Sequence, residues 1–219
     1  MAAGPEGVPG VCGVGEGSET PGAPPGSLPE RPRVRRQRGR FLVWAPSAAR
    51  ALRERHRVWG ALVGTPPRRG RAGAAAAGPR LPLELSPEEA RALRECGGAT
   101  VEPVDEAEAE PEEPPPEPSR PSPPSERRFR VYRELWGRGL HLTNGGKFGG
   151  DFLVYPGPPS QFHAGAVALC PCSSGPQPLG ALLAAARLGT SVRKALLLCA
   201  APPGGALGLT ALTWRADLT

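Results

Sequence analysis

The stretch SERRFRVYRELWGRGLHLTNGGKFGGDFLVYPG, residues 125–157, contains two kinds of hydrophobic spacing in immediate succession. Its first part places Phe129, Tyr132 and Trp136 at helical spacing behind Ser125, a residue type that caps helices. Its second part contains two short apolar runs, GLHLT and FLVYP, on either side of the turn-forming sequence NGG. The stretch therefore predicts a helix capped by Ser125 and followed by two strands.

The pattern continues downstream with further strands and one helix. The run FHAGAVALC is strand-like, and four apolar side chains then recur at helical spacing: Leu179, Leu182, Leu183 and Ala186. They predict a helix that ends at Gly189. The apolar run ALLLCA starts directly after Lys194, and LGLTALTW is the last predicted strand. Residues 126–219 are thus predicted to form a compact α/β domain.

A similar pattern lies earlier in the chain. Residues 41–44 are strand-like and precede a helix rich in alanine, leucine and arginine, for which Ser47 is the expected cap. A clearer helix follows in LSPEEARALRECGG, where Ser86 and Glu89 have the spacing of a capping box. Residues 39–104 are therefore predicted to form a small N-terminal α/β domain.

Two segments have compositions that disfavour a packed core. Residues 1–38 are rich in glycine and proline and run into RPRVRRQRGR, so they are predicted to be disordered. The arginine run fits a nuclear import signal, a loose nucleic-acid contact or a solvated tail, and the sequence leaves these open. Residues 105–125 combine acidic side chains with proline and are predicted to be an extended linker.

The net charge is +6 at pH 7, and 27 residues are basic. All are arginines except Lys147 and Lys194. Because acidic residues are concentrated in the linker, the segments on both sides of it are basic. Such surfaces favour a partner that carries phosphate groups, and a solvated basic surface without a ligand is the alternative.

The five cysteines include no CxxC pair, and CPC at residues 170–172 is too closely spaced for a usual zinc site. Reduced, structural thiols are expected, and no metal. The sequence shows no secretory signal and no run of about 18 apolar residues. It therefore predicts an intracellular protein without a membrane span.

Three chemically distinct groups stand at the ends of predicted strands. Tyr155 ends one strand, His163 begins the next, and Lys194 precedes a later one. A phenol, an imidazole and an ammonium that meet at one sheet edge suit cleavage of a phosphodiester by the adjacent 2′-hydroxyl: they supply a base, an acid and a cation for the charged phosphorane. Purely structural roles for the three residues are the alternative.

Three motifs, GKFGGDFLVYPG, FHA and RLGTSVRKALLLC, resemble the catalytic subunit of the tRNA-splicing endonuclease that cuts at the 3′ splice site, the subunit 34 type. The earlier segments GRFLVWAPSAARALRER and LSPEEARAL resemble the N-terminal domain of the same family. The resemblance covers both predicted domains. It implies a small N-terminal α/β domain and a C-terminal endonuclease domain with a mixed sheet and flanking helices.

The resemblance also implies roles for the site residues. Tyr155 would be the general base on the 2′-hydroxyl, His163 the acid for the departing 5′-oxygen, and Lys194 the electrostatic stabiliser. Because a phenol is a weak acid, whether Tyr155 removes the proton or orients the nucleophile stays open. Independently of the resemblance, Arg193 and Lys147 are predicted to contact the RNA. No cofactor and no metal would be required, and the products would be a 2′,3′-cyclic phosphate and a 5′-hydroxyl end.

By the same resemblance, the substrate would be intron-containing pre-tRNA, and the protein would act in the nucleus within a heterotetramer. Its partners would be subunits of the 54, 2 and 15 types. The chain departs from the family in several places: residues 1–38 look like an addition, the linker is short, PGPP at residues 156–159 replaces an acidic turn, and Gly165 stands where a larger side chain is commoner.

Two other functions compete with this interpretation. A metal-dependent nuclease would hold Mg²⁺ between an aspartate and an E-x-K pair, but Val192 and Gly145 stand where a carboxylate would precede the two lysines. A non-catalytic assembly or RNA-binding subunit would keep the fold without the chemistry. The presence of all three candidate groups argues against that second alternative.

Overall fold

The computed structural model describes residues 31–64, 80–103, 124–171, 176–202 and 205–215. These residues form two units, each with a five-stranded mixed sheet and two helices. The predicted α/β architecture, with a small N-terminal unit and a C-terminal unit on a mixed sheet, is confirmed. None of the helices in the described residues has the length and apolar composition needed to cross a membrane.

The N-terminal sheet contains strands β1 (Arg33–Gln37), β2 (Arg40–Val43), β3 (Ala61–Leu62), β4 (Leu83–Leu85) and β5 (Thr100–Pro103). Their order is β3-β4-β2-β1-β5, and only the pair β1 and β5 is parallel. Helices α1 (Pro46–His56) and α2 (Pro87–Glu95) pack against this sheet. The core between them contains the fully buried side chains of Leu52, Leu83 and Leu93.

The disorder predicted for residues 1–38 is wrong at the end of that segment, because residues 33–37 form β1. This strand lies between β2 and β5, so its backbone pairs on both sides. Val34 is fully buried, whereas Arg33 and Arg35 on the opposite face are exposed. Strand alternation thus buries the single apolar residue and leaves these arginines in solvent. Residues 1–30 lie outside the described part of the chain.

The two N-terminal helices begin in different ways. At α2 the predicted capping box is confirmed: Ser86 Oγ accepts a hydrogen bond from Glu89 N at 3.2 Å, and the Glu89 carboxylate accepts one from Ser86 N at 2.8 Å. At α1 the cap predicted at Ser47 is wrong, since the N-cap is Ala45 and Pro46 follows it. Proline already has the backbone angle that the first helical position requires, so the helix begins without a side-chain cap.

The C-terminal sheet contains β6 (His141–Asn144), β7 (Phe152–Tyr155), β8 (Ala166–Leu169), β9 (Ala195–Ala200) and β10 (Gly208–Leu212). Their order is β10-β9-β8-β7-β6. Strands β8 and β9 are parallel and are connected through helix α4 (Leu179–Ser191), whereas the other pairs are antiparallel. The ends of β7, β8 and β9 are therefore neighbours.

Helix α3 (Pro124–Gly137) packs against this sheet with the predicted face. Phe129 and Tyr132 are buried, and Trp136 packs against the same cluster. The cap predicted at Ser125 is wrong, because α3 begins one residue earlier and Ser125 lies in its first turn. The rest of the predicted linker lies outside the described residues.

Helix α4 differs from the prediction at its end, because it continues past Gly189. The carbonyl oxygen of Gly189 accepts a hydrogen bond from Lys194 N at 2.8 Å. A Cβ atom at Gly189 would lie 2.9 Å from the Lys194 carbonyl oxygen. The glycine therefore lets α4 approach the start of β9. In the predicted apolar stripe Ala186 is buried, whereas Leu179 and Leu183 are exposed.

Polar contacts join the two units. Trp59 Nε1 donates a hydrogen bond to His141 Nδ1 at 2.8 Å. Arg128 on α3 pairs with Glu88 on α2, 2.9 Å away, and with Asp151 in the C-terminal unit. His141 is thus a contact residue between the two units.

Candidate active site

The backbone of Gly165 connects the three strand ends that carry the candidate residues. Its N–H donates to the carbonyl oxygen of Val154 at 2.9 Å, and its carbonyl oxygen accepts from Ala195 N at 3.0 Å. Tyr155 follows Val154 in the chain, and Lys194 precedes Ala195. Because paired strands are only about 4.8 Å apart, these hydrogen bonds bring the chain positions of Tyr155 and Lys194 to the two sides of the segment that carries the candidate histidine.

Tyr155 is half-buried at the end of β7. Its ring packs against the apolar cluster of Leu153, Ala164 and Val167. Thr143 on the neighbouring strand β6 donates a long hydrogen bond from Oγ1 to the phenol oxygen at 3.4 Å. Packing against this cluster therefore fixes the ring of Tyr155, and Thr143 Oγ1 is a hydrogen-bond donor next to its hydroxyl.

Lys194 is half-buried directly before β9. Its ammonium lies over the ring of Phe148, with Nζ 5.3 Å from the ring centroid, and donates a hydrogen bond to the carbonyl oxygen of Val192 at 3.3 Å. Phe148 also packs against the apolar cluster beside Tyr155. The aromatic ring thus contacts both the cluster that supports Tyr155 and the cation.

His163 is exposed and lies three residues before β8, in the loop that follows β7. The prediction that it begins a strand is therefore wrong. Gly165 makes the last backbone hydrogen bonds at this edge, and the chain before it leaves the sheet. An imidazole on a loop is more accessible to a large ligand than one on a central strand.

Arg193 and Lys147 are exposed beside these residues. Arg193 precedes Lys194 and adopts a left-handed backbone conformation with φ of 55°. Lys147 lies in a single turn of 3₁₀ helix, Gly146–Phe148, next to the ring that contacts Lys194. The structure therefore brings both predicted RNA-contact residues next to the candidate site.

The acidic residues of the described C-terminal unit lie away from this edge. Glu126 and Glu134 are on α3, whose apolar face packs on the opposite side of the sheet from Tyr155. Asp151 precedes β7, at the end opposite to Tyr155, where it pairs with Arg128. In the described C-terminal unit, the charged residues adjacent in the chain to Lys194 and to its supporting ring are the cations Arg193 and Lys147.

No group of three or more histidine, cysteine or acidic side chains in the described residues could hold a metal ion. Cys170 of the CPC motif is buried, and Cys172 lies outside the described residues. A hydrogen bond with Cys199 raises the pKa of the Cys170 thiol, and burial raises it further. Because metal ligation requires the thiolate, Cys170 has the properties of a structural thiol.

Two supporting residues, Thr143 and Phe148, are not identified by the sequence reasoning. Thr143 is an ordinary strand residue in the sequence, so nothing there indicates its contact with Tyr155. Phe148 lies within GKFGGDFLVYPG, a motif that the sequence singles out, but its contact with Lys194 joins positions far apart in the chain. These contacts become visible only in three dimensions.

Two protein-family models match separate parts of the chain. Residues 26–104 match the TSEN34-like N-terminal domain, and residues 125–207 match the tRNA intron endonuclease catalytic C-terminal domain. Residues 125–207 are thus a domain of the tRNA intron endonuclease family. Tyr155, His163 and Lys194 all lie within the part that matches the catalytic domain of this family.

Curated members of the family are similar to parts of the chain. The tRNA-splicing endonuclease subunit Sen34 of Mus musculus is 55% identical over 89 residues, which are 41% of this chain and 28% of the mouse protein. The Homo sapiens subunit Sen34 is also 55% identical over 89 residues, 41% of this chain and 29% of the human protein. The Saccharomyces cerevisiae subunit SEN34 is 36% identical over 66 residues, 29% of this chain and 24% of the yeast protein. The matches thus span less than a third of each relative's length.

Proposed function

We propose that this chain is a catalytic subunit of a tRNA-splicing endonuclease and that it cuts intron-containing pre-tRNA at the 3′ splice site. The observation that carries the proposal is the hydrogen bonding of Gly165 to both neighbouring strands, which brings Tyr155, His163 and Lys194 to one sheet edge. The match of residues 125–207 to the tRNA intron endonuclease catalytic domain supports the substrate class.

In the proposed reaction one bond forms and one breaks at phosphorus. The 2′-oxygen attacks the adjacent phosphorus, and Tyr155 accepts its proton or orients the hydroxyl for attack. The bond from phosphorus to the 5′-oxygen breaks, and His163 gives a proton to that oxygen. The Lys194 ammonium stabilises the negative charge of the phosphorane. The products are a 2′,3′-cyclic phosphate and a 5′-hydroxyl end, and no step uses a metal ion or a cofactor.

The surrounding cations support RNA binding at this edge. Lys147 and Arg193 are exposed and directly precede Phe148 and Lys194 in the chain. We propose that both contact the phosphate backbone on either side of the scissile bond. Such contacts strengthen binding without reading sequence.

The outer edge of the C-terminal sheet supports assembly with other subunits. In the described residues β10 pairs only with β9, and its other edge is free. An unpaired edge strand readily pairs with a second chain. We propose that β10 joins a partner subunit and that subunits of the 54, 2 and 15 types complete a heterotetramer that acts in the nucleus.

The test is His163→Ala in the assembled endonuclease, with both cuts of one pre-tRNA followed in the presence of EDTA. We expect cleavage at the 3′ splice site to fall by about 10²–10⁴-fold, the usual contribution of general acid catalysis, while the 5′ cut persists. Phosphatase sensitivity of the ends identifies the cyclic phosphate. The control is Gln161→Ala, because Gln161 is an exposed residue of the same loop. The assembly that carries this variant should cleave both sites at the normal rate.

Two outcomes would contradict the proposal. Equal loss of both cuts in His163→Ala would mean that the histidine supports the assembly. Undiminished 3′ cleavage in a triple alanine variant of Tyr155, His163 and Lys194 would mean that the chain is a non-catalytic subunit.

A further inference from the structure

An exposed aromatic ring stands directly beside the candidate acid. Phe162 precedes His163, and its side chain is 46% exposed. Among the phenylalanine, tyrosine and tryptophan side chains of the described residues, only those of Phe162 and Trp44 are exposed. Trp44 is in the N-terminal unit, directly after β2. Phe162 is therefore the exposed aromatic ring of the C-terminal unit in the part of the chain that the structure describes.

The loop PGPPSQF, residues 156–162, holds this ring in place. The carbonyl oxygen of Pro158 accepts hydrogen bonds from Gln161 N at 2.8 Å and from Phe162 N at 3.0 Å, which close a turn. The ring lies against the backbone of Gly157, where a Cβ atom would come within 2.5 Å of a ring carbon. Only glycine leaves this space free. Gly157, the last residue of the GKFGGDFLVYPG motif, therefore supports the ring of Phe162.

The charge around the ring favours a nucleic acid over a protein. His163, Lys194 and Arg193 belong to the same edge of the sheet, and the described carboxylates of the C-terminal unit lie on α3 or at the other end of β7. An aromatic side chain among cations is the arrangement with which proteins bind single-stranded nucleic acid: cations hold the phosphates and rings stack on the bases.

We propose that the ring of Phe162 stacks on the base of the nucleotide that carries the departing 5′-oxygen. This nucleotide is selected because Phe162 is adjacent in the chain to His163, the residue that protonates the same oxygen in the proposed reaction, and the inference rests on that proposed function. Stacking would hold the strand so that the 5′-oxygen stays beside the imidazole. Every base has a π-face, so the contact tolerates any sequence at this position.

The experiment measures binding rather than cleavage. The probe is an intron-containing pre-tRNA with a 2′-deoxy nucleotide at the attacking position, which prevents the cut, bound to the assembled endonuclease. A second probe has, in addition, an abasic nucleotide at the position of the departing 5′-oxygen. We expect Phe162→Ala to weaken binding of the first probe by about 5- to 150-fold, the range for loss of one stacked base, and to leave binding of the abasic probe nearly unchanged.

Matched variants separate stacking from other effects. Phe162→Trp should bind the first probe at least as tightly as the unchanged protein, whereas Phe162→Leu, which is apolar but has no π-face, should bind nearly as weakly as Phe162→Ala. Trp44→Ala, the control at the other exposed aromatic residue, should change neither affinity. If Phe162→Ala folds poorly, the tryptophan and leucine variants decide the outcome.

Three results would overturn the proposal: equal binding by the leucine variant and the unchanged protein, an equal loss of affinity with both probes, or release of a partner subunit by Phe162→Ala. Release of a partner subunit would mean that the ring of Phe162 contacts that subunit and not the RNA. Failure of the proposed function is recognised separately. If the assembly that carries His163→Ala cuts the 3′ site normally, while Phe162→Ala still weakens binding of the first probe and not of the abasic probe, the catalytic role fails and the stacking stands.

Discussion

The Lys194 ammonium contacts the ring of Phe148. Replacing this ring tests whether the contact positions the ammonium for catalysis. Nζ lies 5.3 Å from the ring centroid, within the distance of about 6 Å at which a cation is attracted to a π-face. For a half-buried ammonium such a contact contributes about 1 kcal/mol. If the contact holds the ammonium in the position from which it stabilises the phosphorane, its loss corresponds to a factor of about 5 in rate. We therefore expect Phe148→Leu to slow the 3′ cut about 5-fold and to leave RNA binding unchanged.

The assay is a double-mutant cycle under single-turnover conditions. The rate of the 3′ cut is measured for Phe148→Leu, for Lys194→Ala and for the double variant. Leucine retains most of the packing against Leu153 and Val167, the neighbouring cluster, but has no π-face. The penalty of Phe148→Leu should disappear in the Lys194→Ala background, because no ammonium remains to be held. Phe148→Trp should retain the full rate, since tryptophan binds cations best.

The reasoning would be refuted if Phe148→Leu slowed cleavage equally with and without the ammonium. That result would mean that Phe148 acts through packing alone. A loss confined to RNA affinity would equally contradict it, because a ring that positions a catalytic cation affects the chemical step. The 5′ cut in the same reaction is the internal control for assembly.

Three further predictions follow from the geometry of this sheet edge and of β10. Lys194→Arg should restore only part of the cleavage lost in Lys194→Ala, because a planar guanidinium does not reproduce a compact point charge; single-turnover rates test this. Gly165→Ala should raise the free energy of unfolding by about 0.4–1 kcal/mol and leave cleavage unchanged, since a Cβ atom there would have no neighbour within 4 Å and its φ is not positive; a lower melting temperature would contradict it. Removing residues 207–219, which include β10, should abolish co-purification with partner subunits while circular dichroism still reports a folded chain.

The sequence predicts the elements of the C-terminal unit well because their hydrophobic periods are strong. Phe129 and Tyr132 repeat at helical spacing, and both are buried. Tyr155 and Lys194 are placed correctly because each lies next to an apolar strand. The three candidate residues lie near one another because β7, β8 and β9 are neighbours in the sheet. The order of the strands in the sheet is not visible in the hydrophobic pattern of any single strand.

The failures of the sequence reasoning have local physical causes. The segment of β1 forms a strand with a single apolar residue, Val34, because backbone pairing with two neighbouring strands stabilises it. At α1 and α3 the caps predicted from serines are displaced, because prolines at Pro46 and Pro124 begin the helices. His163 lies before β8 because Gly165 makes the final ladder hydrogen bonds. These errors concern whether an element forms and where it begins, which depend on tertiary pairing as well as on composition.

The position of Lys194 depends on the turn that precedes it more than on its own strand. Arg193 has a φ of 55°, in the left-handed region that most side chains avoid. Its N–H donates to the carbonyl oxygen of Thr190 at 3.0 Å, and the next N–H, that of Lys194, donates to Gly189. Arg193 therefore combines an exposed charge beside the site with a backbone conformation that directs the chain from α4 into β9. A variant that tests its contact with RNA has to preserve the turn, so Arg193→Gly or Arg193→Asn removes the charge alone, whereas a β-branched residue would also displace the ammonium.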